Sequence, residues 1–289
     1  MKPLRVVTDS TSDLPPELAQ RYGIVMVPVW VHFGTESYRD GVDIDQAQFY
    51  QRLEQRLPKA GYPTTSQPSP GQFAQVYRQL AQEGFSILSI HVTAKTSGTY
   101  QSAVLGRSLV PEAEVTVVDS ASISLGLGYA CLAAARAIQQ GRSLEDGLHL
   151  IEEIKARTRI FGAVDRLDFL RASGRVTHLQ SVLASLLDVK PIITVRQGVV
   201  EMIDRVRTRK RSLARLLELM ESSLGRGARI VGAVLHANVP QEAEWLRAEM
   251  ARRFDCQELI LGPAGLALAA NAGPGLVGIL GYRTDGLPD

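Results

Sequence analysis

The sequence predicts an α/β protein of two domains, and three observations carry that prediction. At 289 residues, the chain is too long for one small domain and long enough for two. In its first half, short apolar runs alternate with helical segments, which indicates βαβ units and a mostly parallel sheet flanked by helices. After about residue 159 the pattern changes, because hairpin and βαβ signals mix there. We therefore predict an N-terminal α/β domain over residues 1–159 and a mixed α/β domain over residues 160–289.

The first half predicts its elements in a regular order. An apolar run at residues 4–7 predicts a strand, followed by a polar loop and a helix that Pro15 and Pro16 introduce. Further strands are predicted at residues 24–33, 86–92 and 115–119, and helices at residues 45–57, 71–83, 99–109 and within 125–157.

The second half mixes strand and helix signals. Residues 191–195 and 199–205 flank Gln197 and Gly198, which predicts a β-hairpin. Other strands are predicted at residues 160–164, 229–235 and 258–261, with a last apolar run at 276–282. Helices are predicted at residues 169–171, 181–187, 212–223 and 242–254.

Composition excludes several function classes. The hydrophobic fraction of 45% is that of an ordinary globular protein. With 32 basic and 30 acidic residues the formal charge is only +2, which gives no argument for a nucleic-acid partner. No stretch approaches the roughly 18 apolar residues of a membrane span, and the N-terminus carries no secretory signal. We therefore expect a cytoplasmic protein with no integral membrane segment.

Hydroxyl-rich loops follow three predicted strands, at residues 8–11, 93–99 and 119–122. In a parallel sheet such loops meet at the carboxyl ends of the strands, where ligands bind. Ser97, Gly98 and Thr99 are the most informative because a helix begins there, and a helix start with hydroxyls beside it suits an anion. The alternative is that Ser97 and Thr99 only cap the helix.

A second hydroxyl cluster occupies residues 64–71. Ser69 followed by Pro70 fits an N-cap with proline at the first helical position. Capping leaves Thr65 and Ser66 unexplained, so these two are candidate ligand contacts. The alternative is a turn that satisfies its own backbone.

No motif for a metal, a cofactor or hydrolysis appears. The five histidines and two cysteines lack metal-ligand spacing, and neither a GxSxG elbow nor a P-loop is present. We expect no metal and no cofactor. A hydrolase or transferase with Ser97 or Ser120 as nucleophile stays open, since a base distant in sequence is possible. The arginines of residues 171–175 and 205–211 are either solvated charges or contacts for an oxyanion or a partner.

Taken together, eight motifs in order resemble the DegV family of bacterial fatty-acid-binding proteins. They lie at residues 7–14, 65–69, 97–103, 119–120, 170–176, 190–192, 206–208 and 273–275. The resemblance implies two α/β domains, with an acyl chain buried in the second and its carboxylate at the domain junction. It also implies a non-catalytic carrier that presents a long-chain fatty acid to a separate fatty acid kinase. That kinase makes an acyl phosphate for phospholipid synthesis. A lipid sensor without a kinase partner is the alternative.

The same resemblance assigns site residues. The carboxylate contacts carry over to the two hydroxyl loops, at Thr65 and Ser97 with Ser66, Gly98 and Thr99 beside them. Contacts with phosphate or the kinase carry over to Arg171 and Arg207.

One position departs from the family. The family commonly has a histidine two residues before its Gly-Pro-Gly, and this chain has Asn271 there. An asparagine amide donates a hydrogen bond but carries no charge. The departure predicts that carboxylate binding survives, and it places any charge-dependent step of phosphoryl transfer in question.

Overall fold

A computed structural model describes residues 2–57, 61–177 and 189–287. The chain divides into two units by its internal contacts. The first comprises Met1–Ala156 and Gly265–Ala267, and the second comprises Arg157–Ala264 and Leu268–Asp289. The domain limits predicted at 1–159 and 160–289 stay a prediction. The assignment of Gly265–Ala267 to the first unit, far along the chain from its other residues, has no signal in the sequence.

The first unit contains two sheets. Their strands are β1 (Leu4–Asp9), β2 (Val25–Val27), β3 (Trp30–Phe33), β4 (Glu36–Arg39), β5 (Thr64–Ser66), β6 (Ser86–His91) and β7 (Val115–Asp119). The larger sheet is parallel, in the order β2-β1-β6-β7, which confirms the predicted parallel sheet. The smaller sheet is antiparallel, in the order β4-β3-β5.

The prediction of one strand over residues 24–33 is wrong. The segment forms β2 and β3, and these belong to different sheets. Pro28 separates them, because proline has no N–H to donate to a ladder and restricts the residue before it. An apolar run does not show which sheet each half joins.

Helices cover both faces of the parallel sheet. The helices of this half are α1 (Pro16–Arg21), α2 (Gln46–Arg56), α3 (Pro70–Gln82), α4 (Thr99–Ser108), α5 (Leu125–Gln139) and α6 (Leu144–Arg157). Of these, α3 and α4 lie on one face of the parallel sheet and α5 lies on the other, whereas Phe49 of α2 packs against Phe33 of the small sheet. On β1, Val7 packs in one cluster with Phe73 of α3 and Ala103 of α4. The next residue, Thr8, faces the Cys131 thiol of α5, since successive strand residues point to opposite faces. The predicted flanking helices are confirmed.

The second unit is built on one mixed sheet. Its strands are β8 (Arg159–Ala163), β9 (Val176–Thr177), β10 (Lys190–Arg196), β11 (Val199–Val206), β12 (Arg229–His236), β13 (Asp255–Pro263) and β14 (Val277–Arg283). Their order is β13-β12-β14-β8-β10-β11-β9. The predicted hairpin is present as β10 and β11. Gln197 and Gly198 join these strands with φ of 48° and 80°, as a two-residue turn of the primed type requires.

The helices of this half are α7 (Leu167–Ser173), α8 (Arg209–Leu224), α9 (Pro240–Arg253) and α10 (Leu266–Ala272). Thr208 caps α8 by accepting a hydrogen bond from the backbone N–H of Arg211, so the helix begins before the predicted residue 212. The helix predicted at 181–187 lies outside the described residues. The core is mostly aliphatic and includes Leu216, Met220 and Leu246, with Phe161 and Phe254 as its buried aromatic residues. Within the described ranges, no helix has the length and apolarity needed to cross a membrane.

Candidate functional site

The two hydroxyl loops predicted from the sequence lie side by side in the first unit. A Cβ built on Gly98 would lie 2.8 Å from Nε2 of Gln67, so the Gln67 side chain rests against the Gly98 backbone. The Ser102 hydroxyl donates a hydrogen bond to the Pro68 carbonyl at 2.7 Å. The loop before α3 and the loop after β6 therefore form one surface.

Ser97 and Thr99 form a compact hydroxyl pair at the start of α4. Ser97 Oγ lies 2.8 Å from Thr99 Oγ1 and accepts a hydrogen bond from the Thr99 N–H at 3.2 Å. Thr99 is buried, whereas Ser97 is half-buried and Gly98 is exposed. Ser97 is therefore the hydroxyl of this pair that a ligand can reach, and Thr99 fixes its orientation.

The first turn of α4 presents backbone N–H groups. Gly98 is the N-cap residue, and no side chain caps the helix. If Ser97 acted only as a cap, its hydroxyl would satisfy one backbone N–H group, that of Thr99. The later N–H groups of the first turn have no side-chain acceptor. Such amides carry partial positive charge and attract an anion. Ser69 shows the contrast, because it caps α3 fully with a capping box and Pro70 at the first position, as predicted.

Thr65 and Ser66 sit on strand β5 rather than in a simple turn, and their side chains point to opposite faces. The Ser66 hydroxyl lies 2.8 Å from Nε2 of His32, whose Nδ1 lies 2.8 Å from Ser37 Oγ. Ser66 is thus engaged by the small sheet itself. Thr65 pairs with Val31 in the ladder and lies on the other face, where it is half-buried.

A buried hydrogen-bond chain runs beneath these loops, and sequence reasoning missed it. Nδ1 of His91 lies 2.9 Å from Oδ2 of Asp9, and Nε2 of His91 lies 2.7 Å from Ser89 Oγ. The chain ends at Tyr77 of α3, whose hydroxyl lies 2.7 Å from Ser89 Oγ. Ser89 and His91 stand two positions apart in β6, and this spacing was the available signal because it places both side chains on one face of the strand.

Asp9 also fixes the backbone at the carboxyl ends of two neighbouring strands. It accepts hydrogen bonds from the Thr11 N–H at 3.1 Å and from the Val92 N–H at 3.2 Å. The loop that leads to Ser97 therefore starts from a backbone that Asp9 and His91 hold in place.

In the part of the chain that the structure describes, no base is hydrogen-bonded to either serine of the hydrolase alternative. Ser97 bonds to Thr99, and the Ser120 hydroxyl bonds to the backbone of Ser122. Among the hydrogen bonds of the described residues, neither reaches a histidine. Ser89, His91 and Asp9 have the order of a catalytic triad, but all three are fully buried and Tyr77 occupies the serine. This arrangement supplies no accessible nucleophile.

Asn271 belongs to the second unit and is half-buried in the last turn of α10. The Gly-Pro-Gly that follows packs against two side chains. A Cβ on Gly273 would lie 2.7 Å from the Phe169 ring, and one on Gly275 would lie 2.6 Å from Cβ of Asp165. Both glycines have positive φ, so this close approach requires glycine.

Arg171 and Arg207 are exposed, on α7 and just after β11. Neither forms an ion pair with another residue of the described ranges, although nearby arginines do. Arg166 pairs with Asp168 at 2.6 Å, and Arg215 pairs with Asp204 at 2.7 Å. Both side chains are exposed, and their predicted contact with a phosphate or a kinase stays a prediction.

No cluster of metal-ligating side chains occurs among the residues that the structure describes. The buried thiol of Cys131 gives no reactive site either, because burial raises its pKa to about 12. At residues 64–67 and 97–99 the polar groups are hydroxyls and amides, which suit recognition of a carboxylate.

Comparison with known proteins gives one consistent family. A family model described as an uncharacterised protein of the DegV family matches residues 3–284. Protein DegV of Bacillus subtilis is 33% identical over 277 residues, which cover 96% of this chain and 98% of that protein.

Solved structures agree with this result. A DegV family protein from Thermus thermophilus, described by its fatty acid binding, has a TM-score of 0.90 and 36% identity. That match covers 98% of this chain and 100% of the other. The structure of DegV from Bacillus subtilis, described as a fatty acid binding protein, has a TM-score of 0.88 and 32% identity. It covers 98% of this chain and 100% of that one.

Proposed function

Because the chain belongs to the DegV family, we propose that it binds a long-chain fatty acid through its carboxylate at the Thr65 and Ser97 loops. One observation carries the proposal. The half-buried Ser97 hydroxyl stands at the start of a helix that no side chain caps, directly beside the Gln67 loop. The fatty acid binding described for the relatives from Thermus thermophilus and Bacillus subtilis supports the choice of ligand.

The head group supplies orientation. An ionised carboxylate that leaves water needs hydrogen bonds to offset its lost hydration. Hydroxyls and backbone N–H groups donate such bonds, and charge assistance makes each of them stronger than a neutral one. We assign the direct contacts to Thr65, Ser97 and the Gly98 backbone, with Ser66 and Thr99 as supports. The Asn271 amide is a further proposed donor.

The tail supplies affinity. At ~0.8 kcal/mol per buried methylene, a chain of roughly sixteen carbons contributes on the order of 12 kcal/mol before the costs of association. We expect the tail to be buried within residues 160–289. A cavity that excludes water along this length then selects for long chains.

We further propose that the protein is a carrier for a separate fatty acid kinase in the cytoplasm. In that step a carboxylate oxygen attacks the γ-phosphorus of ATP, the bond from that phosphorus to ADP breaks, and an acyl phosphate forms for phospholipid synthesis. Arg171 and Arg207 are exposed and without an ion pair in the described ranges, which suits contacts with phosphate or with the kinase.

Mass spectrometry of organic extracts from the purified protein tests the binding proposal. We expect a fatty acid of the C16 to C18 class, and binding of added oleate or palmitate after the protein is stripped of lipid. Extracts without lipid, together with no binding of either fatty acid, would overturn the proposal.

A coupled acyl phosphate assay with the kinase of the same organism tests the carrier role. Arg171→Ala and Arg207→Ala should reduce turnover and leave oleate affinity nearly intact. Arg196→Ala is the matched control, because Arg196 is also exposed in the second unit. Oleate binding without acyl phosphate formation by the natural protein would favour a lipid sensor.

A further inference from the structure

Helix α3 meets strand β6 through two pairs of side chains. The Tyr77 hydroxyl lies 2.7 Å from Ser89 Oγ. One turn earlier on the helix, the Phe73 ring packs edge-on against the His91 ring, with centroids 4.9 Å apart and an angle of 76° between the ring planes. All four side chains are fully buried.

The spacing of these pairs matches the repeats of the two backbones. Phe73 and Tyr77 are four residues apart on a helix, or about 6 Å along its axis. Ser89 and His91 are two residues apart on a strand, or about 6.6 Å. A shift of α3 along β6 by one residue would therefore break both pairs at once. The four side chains fix the position of the helix along the strand.

This position also sets the spacing of the two hydroxyl loops. The earlier helix residue meets the later strand residue, so α3 and β6 run in opposite directions. Helix α3 begins at Pro70, shortly after Thr65, and β6 ends at His91, shortly before Ser97. Both loops therefore leave the same edge of the parallel sheet, and the contact of α3 with β6 determines how far apart they lie.

The segment from β6 to Ser97 is held along its length. Asp9 accepts the hydrogen bond of the Val92 N–H at 3.2 Å. Thr93 is fully buried, and its N–H donates to the Ser122 carbonyl at 2.9 Å. The Thr93 carbonyl in turn accepts a hydrogen bond from the Ser97 N–H at 3.3 Å. A change at the end of β6 is thus passed on to Ser97.

The carboxylate of Asp9 gives the buried chain of hydrogen bonds its direction. A carboxylate only accepts, so Nδ1 of His91 donates to Asp9. Nε2 of the neutral ring then accepts from the Ser89 hydroxyl, which leaves Ser89 Oγ as the acceptor for Tyr77. Burial raises the pKa of Tyr77, so its hydroxyl keeps the proton that it donates. Loss of the Tyr77 hydroxyl therefore removes the contact of α3 with this chain.

We propose that Tyr77, Ser89 and His91 are positioning residues for carboxylate recognition. They hold α3 on β6 and thereby keep the Thr65 and Ser97 loops at the distance that binding of one head group by both loops requires. A hydrogen bond weakens outside a range of about 2.7–3.2 Å between the heavy atoms, so a small shift of one loop against the other loses a contact. This inference rests on the proposed function, because the spacing matters only if both loops meet the head group.

Two ligands with the same tail test the proposal. Oleate and oleyl alcohol differ in their head groups, and the alcohol forms no charge-assisted hydrogen bond. Tyr77→Phe and Ser89→Ala should each weaken oleate binding by about tenfold and change oleyl alcohol binding by less than about twofold. Equilibrium binding to the full chain, stripped of lipid, measures both affinities. An equal loss for the two ligands would show a general structural defect and would overturn the proposal.

Tyr50→Phe is the matched control. Tyr50 is a buried tyrosine of the same unit, on α2, and in the described part of the chain its hydroxyl has no hydrogen-bond partner. The substitution makes the same chemical change as Tyr77→Phe without touching the buried chain. It should leave the affinity for both ligands unchanged.

Double variants show whether Tyr77 acts through the loops. Once Ser97→Ala has removed a contact with the carboxylate, the position of that loop matters less. Tyr77→Phe combined with Ser97→Ala should therefore bind oleate about as weakly as Ser97→Ala alone. Single effects that multiply, both with Ser97→Ala and with Thr65→Ala, would overturn the proposal.

Hydrogen exchange tests the positioning without any ligand. The amides of residues 97–102 should exchange at least about tenfold faster in Tyr77→Phe than in Tyr50→Phe or the natural protein. If the natural protein binds no oleate, the proposed function fails, and the exchange rates still decide whether the buried chain holds the Ser97 loop. If it binds oleate, and oleate affinity in Tyr77→Phe and Ser89→Ala equals that of Tyr50→Phe, the positioning role is overturned whatever the exchange rates are.

Discussion

The interiors of the two units differ in chemistry. Of the described residues, the first unit buries a dozen polar or charged side chains: Thr8, Asp9, Ser12, Asp40, Ser89, His91, Thr93, Thr99, Ser102, Ser120, Ser122 and Ser124. In the second unit the buried polar side chains of the described ranges are Thr194 and Ser212. The core around α8 and α9 is apolar: it is built from leucine, isoleucine, valine, methionine and alanine side chains together with Phe161 and Phe254.

This difference assigns different tasks to the two interiors. An aliphatic core gains stability in proportion to the apolar area it removes from water. A buried polar group adds little net stability, and its hydrogen bonds serve mainly to avoid a penalty. The buried polar groups of the first unit therefore act mainly to hold the loops at the carboxyl ends of the strands in position.

The largest expected effect is the loss of Asp9. Asp9→Ala removes the hydrogen-bond partner of four groups and leaves His91 buried without its carboxylate; the four are the Thr11 N–H and hydroxyl, the Val92 N–H and His91 Nδ1. We expect a loss of about 3 to 5 kcal/mol in the free energy of unfolding. Leu216→Ala in the second unit should cost about 2 to 5 kcal/mol through a cavity. Urea unfolding of Asp9→Ala and Leu216→Ala measures both losses in the free energy of unfolding.

An exposed aspartate provides the control for this comparison. Asp43 pairs with Arg39 at the surface, and Asp43→Ala should cost less than about 1 kcal/mol. If Asp9→Ala costs no more than Asp43→Ala, the polar interior does not organise the first unit and the contrast between the units fails.

The next effect concerns ligand affinity. Ser97→Ala and Thr65→Ala should each weaken oleate binding by about 1.5 to 3 kcal/mol, the value of one hydrogen bond to a charged group. Isothermal titration measures the change. Ser108→Ala is the control, since this serine is exposed at the other end of α4. Unchanged affinity in both variants would return Ser97 and Thr65 to local structural roles.

The pH dependence of stability tests the buried carboxyls. Burial raises the pKa of Asp13 from 3.8 in the unfolded chain to about 8 when folded, so the folded state binds more protons between these values. Stability therefore falls as the pH rises through this window, by about 1.4 kcal/mol per pH unit for one proton. Asp40 adds the same sign up to about pH 6.

The variant Asp13→Asn isolates the contribution of Asp13 to the pH dependence of stability. Desolvation lowers the pKa of His236, so its contribution to stability has the opposite sign and rises with pH. The difference between the natural protein and Asp13→Asn removes that background. Thermal unfolding from pH 6 to 9 should show a smaller slope in Asp13→Asn. Equal slopes would mean that Asp13 titrates in the folded protein as it does in the unfolded chain.

The parallel sheet, the hairpin and the Ser69 cap were predictable from the sequence, because their signals are local. These signals are strands that alternate with helices, a two-residue turn, and a serine followed by proline. Two features could not be predicted from the sequence: the division at Pro28 into strands of two different sheets, and the strand formed by Thr65 and Ser66. Both depend on strand partners that are distant in sequence. The contacts of Asp9 with His91, and of Asp40 with Leu266, join residues 82 and 226 positions apart. No pattern along the chain predicts such pairs.

The smallest expected effect is at Asn271, and it separates binding from phosphoryl transfer. If this position only orients the carboxylate, an amide serves as well as an imidazole, and Asn271→His should change oleate affinity by less than about tenfold, or ~1.4 kcal/mol. If a cation here stabilises the charge that develops during transfer, Asn271→His should raise acyl phosphate formation, because a preorganised cationic donor favours the transition state over the bound carboxylate.

Asn238→His is the control, since Asn238 is an exposed asparagine of the same unit. Full turnover by the natural protein, with no gain in Asn271→His, would show that the head group needs no charge from this position. A loss of oleate affinity well beyond tenfold would instead mean that the second unit holds the head group by shape. Recognition of the carboxylate would then not depend on the polar first unit alone.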